Sequence, residues 1–358
     1  AQVWNETVRM PPVNGIRIGW DHTTLKKLAP RNGRHLSYCG YSRMTQLQNG
    51  DLLCVYETSD GNTELIRSHN NGKTWSDPVI LFRASNGVTQ AVPDIIELSN
   101  QTILVACNPR PGNDSPDSLR FGIKVRRSID GGHSWGEEKM VYRAGTSFNN
   151  GCWEPAFLEL PTGEVQLYFA NEGPYTSSKE QEISLLRSFD NGDTWSDSAE
   201  TLSFRQNHRD GMPVPLYLAD REDILLAIED NEYGEFKPSI LRTSLENNWH
   251  GTLVDGDDPQ REYALSEMLK EKVYAGAPFL ARLNTGQVLL SYQSTMGRNS
   301  KWNQSCMVVA ISNEVGQNFN RKTKPFNVPL GRSGLWNSLA VIGDNTPVAV
   351  SSTNAFSE

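Results

Sequence analysis

The chain has 358 residues, with 34 Lys and Arg against 42 Asp and Glu and a formal charge of −8. That acidic balance argues against nucleic acid or an anionic membrane as the main partner, and no apolar run approaches the ~18 residues of a membrane span. Moderate charge with 29 Gly and 19 Pro suits one turn-rich globular domain over 1–358, a length that closed repeat architectures reach without splitting.

Residues 1 to about 36 are weakly periodic, with Trp4, Trp20 and Pro11–Pro12, and part of this segment is expected to help close a ring. From there one plan repeats: an alternating apolar strand, a polar turn, a second strand and a polar residue at its exit. MTQLQNGDLLCVYE ends at Glu57, IIELSNQTILVACN at Asn108, and CWEPAFLELPTGEVQLYFANE runs from Cys152 to Glu172. VPLYLADREDILLAIE ends at Glu229, FLARLNTGQVLLSYQ at Gln293, and a weaker copy, SLAVIGDNTPVAVSS, at Ser352. The anchors Leu47, Leu98, Leu160, Leu218, Leu283 and Val341 recur every 51 to 65 residues. Imperfect hairpin repeats at this period predict an all-β fold, a six-bladed β-propeller of four-stranded antiparallel blades. The first blade is expected to run to about 83, and the others over about 88–143, 150–203, 210–254, 274–322 and 335–356. Asp255 to Lys272, rich in charge, reads as an exposed loop or short helix.

Three segments, ELIRSHNNGKTWS, KVRRSIDGGHSWG and SLLRSFDNGDTWS, share the pattern R-S-x-[ND]-[NG]-G-x-[ST]-W, and SILRTSLENNWH is a degenerate copy. A strand ends at the Ser, the Asp or Asn and Gly make a tight turn, and the Trp packs back under it. The pattern resembles the Asp-box of sialidases and related propellers, which implies a sialidase-like fold and a structural role away from the site. Four N-x-S/T sequons begin at Asn5, Asn100, Asn113 and Asn303, and the chain opens at Ala1–Gln2 as a processed N-terminus would. A secreted, extracellular protein is the resulting expectation. Five cysteines form no CxxC pair and no metal-ligand spacing, and six histidines are scattered, so neither metal nor cofactor is expected. Buried thiols are the reading for most of the cysteines.

In a radial array the exit residues Glu57, Asn108, Glu172, Glu229, Gln293 and Ser352 would gather around one central pocket. A sialic acid carboxylate needs clustered arginines. Arg43, in YSRMTQL, stands about where sialidases have the first, but Met44–Thr45 replace the Ile-Pro that follows it there. The strand ends instead supply Glu172, Glu229 and Gln293, and such an acidic ring fits a neutral sugar better. Tyr41, Arg43, Asp60, Trp153, Tyr175, Arg209, Tyr274, Tyr292, Trp302 and Trp336 are candidates for lining a sugar cleft, as is Glu172.

The motifs Trp153–Glu154–Pro155 with LELPTGEVQLYFANE, Arg209–Asp210–Gly211–Met212–Pro213 with LLAIE, AGAPFLARLNTGQVLLSYQ and Leu335–Trp336–Asn337–Ser338–Leu339 resemble glycoside hydrolase family 93. Pro215 departs from that family's usual Val, a difference expected to concern the strand and not the site. The resemblance implies an exo-acting enzyme that releases arabinobiose from the non-reducing end of α-1,5-L-arabinan with retention of configuration. Retention needs two carboxyl groups about 5–5.5 Å apart. These map to Glu154 as nucleophile and Glu229 as acid/base, the latter with Asp230 and Glu232 as like-charge neighbours that would raise it. Glu172 and Glu57 are the rivals. An exo mode needs blocking material, and the loops Asn108–Leu119, Gly173–Glu182 and Asp255–Lys272 are long enough to supply it. A monomer acting on arabinan or arabino-oligosaccharides is expected. The alternatives are a sialidase or other exo-glycosidase of the same superfamily, and a carbohydrate-binding propeller without catalysis.

Overall fold

The computed structural model describes residues 18–28, 35–251, 253–299 and 301–356. It holds 22 strands in six antiparallel sheets. The first blade is β1 (Cys39–Gln46), β2 (Leu52–Thr58), β3 (Thr63–Ser68) and β4 (Val79–Phe82); the second is β5 (Val88–Glu97), β6 (Ile103–Pro111), β7 (Gly122–Ser128) and β8 (Lys139–Arg143). The third is β9 (Cys152–Glu159), β10 (Val165–Asn171), β11 (Glu182–Ser188) and β12 (Glu200–Ser203). The fourth is β13 (Asp210–Leu218), β14 (Asp223–Asp230), β15 (Lys237–Ser244) and β16 (Arg261–Tyr263). The fifth is β17 (Ala275–Arg282), β18 (Val288–Ser294), β19 (Cys306–Ile311) and β20 (Asn320–Thr323), and a last hairpin is β21 (Gly334–Ile342) with β22 (Thr346–Thr353).

The expectation of six four-stranded blades is therefore corrected. Five sheets have four strands, and β21–β22 form a two-stranded sheet. The pair β21–β22 fills the sector between the fifth and first blades, so the inner strands β1, β5, β9, β13, β17 and β21 touch in cyclic order around an axis. The segment assigned to ring closure, 1–36, lies outside the described residues over 1–17 and 29–34. Of the rest, Ile18 and Trp20 pack on the apolar cluster of Leu283, Met307 and Leu339, and the Trp20 indole donates to Thr323 Oγ1 at 2.8 Å.

Packing explains the sequence pattern of the second strands. Blades cover both faces of β10 and β18, every residue of which is buried, so alternation gives way to a nearly continuous apolar run. The anchor leucines bracket the hairpin turns: Leu160 N–H donates to Glu164 O at 2.8 Å and Gly163 N–H to Leu160 O at 2.9 Å, with Gly163 at φ 90°. The same Leu-to-turn bond recurs at Leu47, Leu98 and Leu283.

The repeated R-S pattern forms the turns between third and fourth strands. In the third blade Ser188 Oγ donates to Asp190 Oδ1 at 2.9 Å and receives the Gly192 N–H at 2.9 Å, while Thr194 N–H donates to Asp190 Oδ1 at 2.8 Å. Ser188 pairs with Val165, the start of β10, so these turns stand at the opposite end of the blade from the exit residues. The segment 255–272 contains no helix. It supplies β16, and Tyr263, Ala264, Leu265 and Leu269 pack into the core between the fourth and fifth blades. The apolar residues hidden among its charges are what a surface reading overlooks.

Candidate active site

Each of the six inner strands carries a bulge at the same height, where two residues oppose one on the second strand. The first bulged residue is Tyr41, Val92, Glu154, Met212, Ala277 or Trp336, each with φ between 43° and 54°. A non-glycine residue held there costs about 1–2 kcal/mol, and four of the six precede proline, which by itself favours extended backbone. The ring is therefore imposed by tertiary packing. Tyr41, Val92, Met212 and Ala277 belong to one apolar cluster with Trp336 packed against it. Glu154 is the ring's acidic member.

The exit residues latch this ring from blade to blade. Val92 N–H donates to Glu57 Oε2 at 2.9 Å, Ala277 N–H to Glu229 Oε2 at 2.9 Å, Trp336 N–H to Gln293 Oε1 at 2.8 Å and Tyr41 N–H to Ser352 Oγ at 3.0 Å. The second and third blades depart from the pattern: Asn108 donates to the Gly122 and Cys152 carbonyls instead, and the third blade carries no latch residue. Its bulge sets Trp153 opposite Ala170, so Ala170 and not Glu172 is the counterpart of Glu57, Glu229 and Gln293. With no latch side chain there, the Met212 N–H acts on Glu154 instead.

Glu154 and Glu229 are both partly buried and both raised to about 7. For Glu154 burial lifts the carboxyl, Arg110 opposes the rise, Glu229 adds to it, and the Met212 N–H lowers it. For Glu229 burial again dominates, against the Ala277 N–H and Arg209. Asp230 and Glu232 do not raise it as their proximity in sequence suggested. Arg205 pairs with both, and Arg261 binds Asp230 at 3.0 Å, so their charges are neutralised away from the pocket. Glycines give Glu229 its room: a Cβ on Gly276 would stand 2.5 Å from Glu229 Oε2 and 2.5 Å from Tyr274 Oη. One on Gly211 would lie 3.4 Å from Glu229 Oε1.

The other sequence candidates divide. Glu172 is buried and committed, with Oε2 accepting the Trp153 indole N–H and Oε1 the Arg209 guanidinium, both at 2.7 Å. Tyr274 is buried beside Glu229, its oxygen accepting from Gln293 Nε2 at 3.0 Å. Glu57 Oε1 accepts from Tyr38 Oη at 3.1 Å. Arg43 is buried below the ring, its guanidinium 3.9 Å from the Tyr41 ring centroid and donating to the carbonyls of Ser42 and Trp336. Tyr175 stacks on Phe204 at 5.2 Å, beyond Glu172. Asp60 lies in an exposed turn, and Tyr292 sits in the core between blades with no exposed surface. Of the long loops, 108–111 continues β6, and Lys179 O receives a bond from Arg209.

Two charged residues escaped the sequence reading. Arg110 places its guanidinium 5.0 Å from the Trp153 ring and donates from Nε to Asn108 Oδ1 at 2.7 Å. Asp94 accepts the Phe157 N–H at 2.8 Å, is raised to about 6 by burial, and lines a cavity of about 120 Å³ below the ring with Arg43 and Phe279. Pro155, Pro213 and Pro215 line the same cavity, so the Pro215 departure reaches the channel. The signal for Asp94 was present: Val92–Pro93, Glu154–Pro155, Met212–Pro213 and Ala277–Pro278 are one dipeptide at one register, with Asp94 next in line. Cys54, Cys107, Cys152 and Cys306 are buried free thiols. Among the described residues no group of three His, Cys, Asp or Glu is arranged to hold a metal, and no helix is long and apolar enough to cross a membrane.

No protein-family model matches the chain. Over 193 residues it is 27% identical to a sialidase of Micromonospora viridifaciens, a match covering 50% of this chain and 27% of that protein. The match thus spans about a quarter of the length of that curated relative. Among solved structures, a Dyadobacter fermentans protein of unknown function superposes with TM-score 0.66 at 16% identity, covering 90% of this chain and 96% of the other. The α-L-arabinanase of Penicillium chrysogenum complexed with arabinobiose gives 0.59 at 18% identity, covering 92% and 96%. At these identities the likeness is one of fold, a β-propeller.

Proposed function

We propose that this protein is a retaining glycoside hydrolase acting from the non-reducing end of α-1,5-L-arabinan and releasing arabinobiose. The observation that carries the reading is the placement of two carboxyl groups at the same end of neighbouring blades, Glu154 on the bulge ring and Glu229 at the latch to Ala277, with burial pushing both up to about 7 and the charge of Glu229 adding to the rise of Glu154. Such a pair holds one proton between two groups near neutrality, which is what one acid and one nucleophile require. Glu154 is assigned as the nucleophile; a guanidinium and a backbone N–H act on each carboxyl alike, Arg110 and Met212 on Glu154 and Arg209 and Ala277 on Glu229, so the free oxygen of Glu229 makes the distinction. Glu229 is the acid/base, latched through Oε2, with Oε1 accepting no hydrogen bond among the described residues. The arabinobiose complex of a structural neighbour supports a neutral pentose as the sugar.

The test is a time course on linear arabinan, with products sized by chromatography and their anomeric form read by NMR. Arabinobiose of retained configuration should appear from the first minutes while viscosity falls little. A ladder of mixed oligomers would remove the exo assignment, and an inverted product the nucleophile.

The sialidase match favours a second reading. Against it, the arginines nearest the carboxyl pair are engaged, Arg43 with backbone carbonyls, Arg110 with Asn108 and Arg209 with Glu172. Turnover of sialyllactose in place of arabinan would establish it, and absence of turnover on both would favour a binding propeller. An extracellular location is proposed on the three described sequons, whose Asn100, Asn113 and Asn303 are exposed. A mobility shift of the natively expressed protein on deglycosylation checks it.

A further inference from the structure

Trp302 is a large aromatic residue open to solvent on a frame that holds it still. It continues the pocket wall outward. The wall's inner end is Tyr41, a buried member of the bulge ring that also carries Glu154. It passes to Trp336, 6.2 Å away between ring centroids, and from Trp336 to Trp302 over a further 5.5 Å. Trp336 belongs to the bulge ring, with φ 53° and its N–H fixed by Gln293. Trp302 opens the 3-10 turn Trp302–Gln304 between β18 and β19. Arg298 pins that loop, donating to the carbonyls of Gln304, Val328, Pro329 and Arg332 at 2.6 to 2.9 Å. The Ser305 hydroxyl and N–H both bond to the Trp302 carbonyl, at 2.6 and 3.1 Å. The Trp302 residue is nevertheless 48% exposed. A flat apolar surface already ordered before binding loses little entropy when a ligand covers it.

We propose that Trp302 and Trp336 form an outer stacking platform for a sugar unit beyond the one held at the carboxyl pair, with a neutral arabino-oligosaccharide as the occupant. The inference rests on the glycosidase reading above. Continuity with the bulge ring that carries Glu154 selects this occupant, since Trp302 packs on Trp336, itself a member of that ring.

The test compares Trp302→Ala and Trp302→Phe with the parent on linear arabinotriose. Trp302→Ala should raise KM about tenfold, the loss of one stacking contact, with kcat changed less than about twofold and an unaltered melting temperature. Trp302→Phe keeps a stacking face and should restore most of the KM. Calorimetric affinity for arabinotriose, measured in a Glu154→Gln background, should fall by the same factor in the Ala variant. KM and affinity both within about twofold of the parent would overturn the platform. So would an equal loss of kcat in both variants, which marks a structural role. If the parent binds arabinotriose without cleaving it and Trp302→Ala abolishes binding, the catalytic reading falls and the platform stands. If the parent neither binds nor cleaves it, both fall.

Discussion

Glu229 Oε2 receives the backbone N–H of Ala277 at 2.9 Å across the gap between the fourth and fifth blades. Glu57, Gln293 and Ser352 make the same latch in other sectors, so Glu229 is in the first instance a structural residue whose second oxygen is left over. In the third sector Ala170 cannot latch, and the Met212 N–H instead favours the anion of Glu154 on the inner ring. The carboxyl pair arises where the ring's regularity is broken.

Glu154→Gln and Glu229→Gln are each expected to lower kcat on arabino-oligosaccharides by ~10²–10⁴ while the fold persists. Glu172→Gln, which loosens Trp153 and Arg209 without removing a reacting group, should cost only about tenfold. An activated aryl arabinoside should recover much of the activity of the Glu229 variant and none of that of the Glu154 variant, since a good leaving group needs no acid. Steady-state kinetics on both substrates check the three.

Stability and activity should respond to pH through the same pair. A carboxyl raised from 4.5 to about 7 in the folded state binds more protons folded than unfolded between those values. Its contribution is therefore fully present below about pH 4.5 and declines as pH rises to about 7. Glu154→Gln, which cannot ionise, should melt higher than the parent at pH 7.5 by ~1–3 °C, with the difference shrinking at pH 5. In the active parent, kcat/KM should trace a bell, falling above about pH 7 as the acid loses its proton and falling on the acid side as the nucleophile gains one. Melting curves and pH–rate profiles in constant ionic strength test both.

Gly276→Ala adds a methyl 2.5 Å from both Glu229 Oε2 and Tyr274 Oη, and Gly276 is not in the left-handed region, so the backbone itself tolerates alanine. The expected outcome is a loss of at least about tenfold in kcat from misplacing Glu229, with a smaller change in melting temperature. Unchanged kcat would show that Glu229 is not held by this contact.

Arg261 binds Asp210 Oδ2 at 2.7 Å and Asp230 Oδ2 at 3.0 Å, and all three side chains are at most 4% exposed. Arg261→Ala leaves buried carboxylates short of a partner and should destabilise the protein by about 3–5 kcal/mol. Urea unfolding of the parent and variant measures this. Because Asp210 and Asp230 flank Gly211 and Glu229 in the β13–β14 register, activity should fall with it.

The hairpin plan, its period, the inner pair of strands in every sector and the tight turns between third and fourth strands were legible in the sequence, because alternation, turn glycines and the Ser–Asp–Gly bonding are local. The proposed carboxyl pair was chosen from the motifs around Glu154 and Glu229, and the structure puts both at the bulge-ring end of the blades. Other features needed the third dimension. Whether the last hairpin acquires outer strands depends on which chain reaches its edge, and that is not a property of SLAVIGDNTPVAVSS. A bulge shifts pairing without changing composition, so Glu172 and Ala170 could not be ranked as latch positions until Trp153 was seen opposite Ala170. The left-handed pre-proline ring opposes local preference and exists because six inner strands converge on one axis. Likewise the charges beside Glu229 in sequence turned out to be cancelled by Arg205 and Arg261, one of them from a segment that reads as surface. Spacing decides which residues share a strand end; only packing decides which oxygens remain unpaired there.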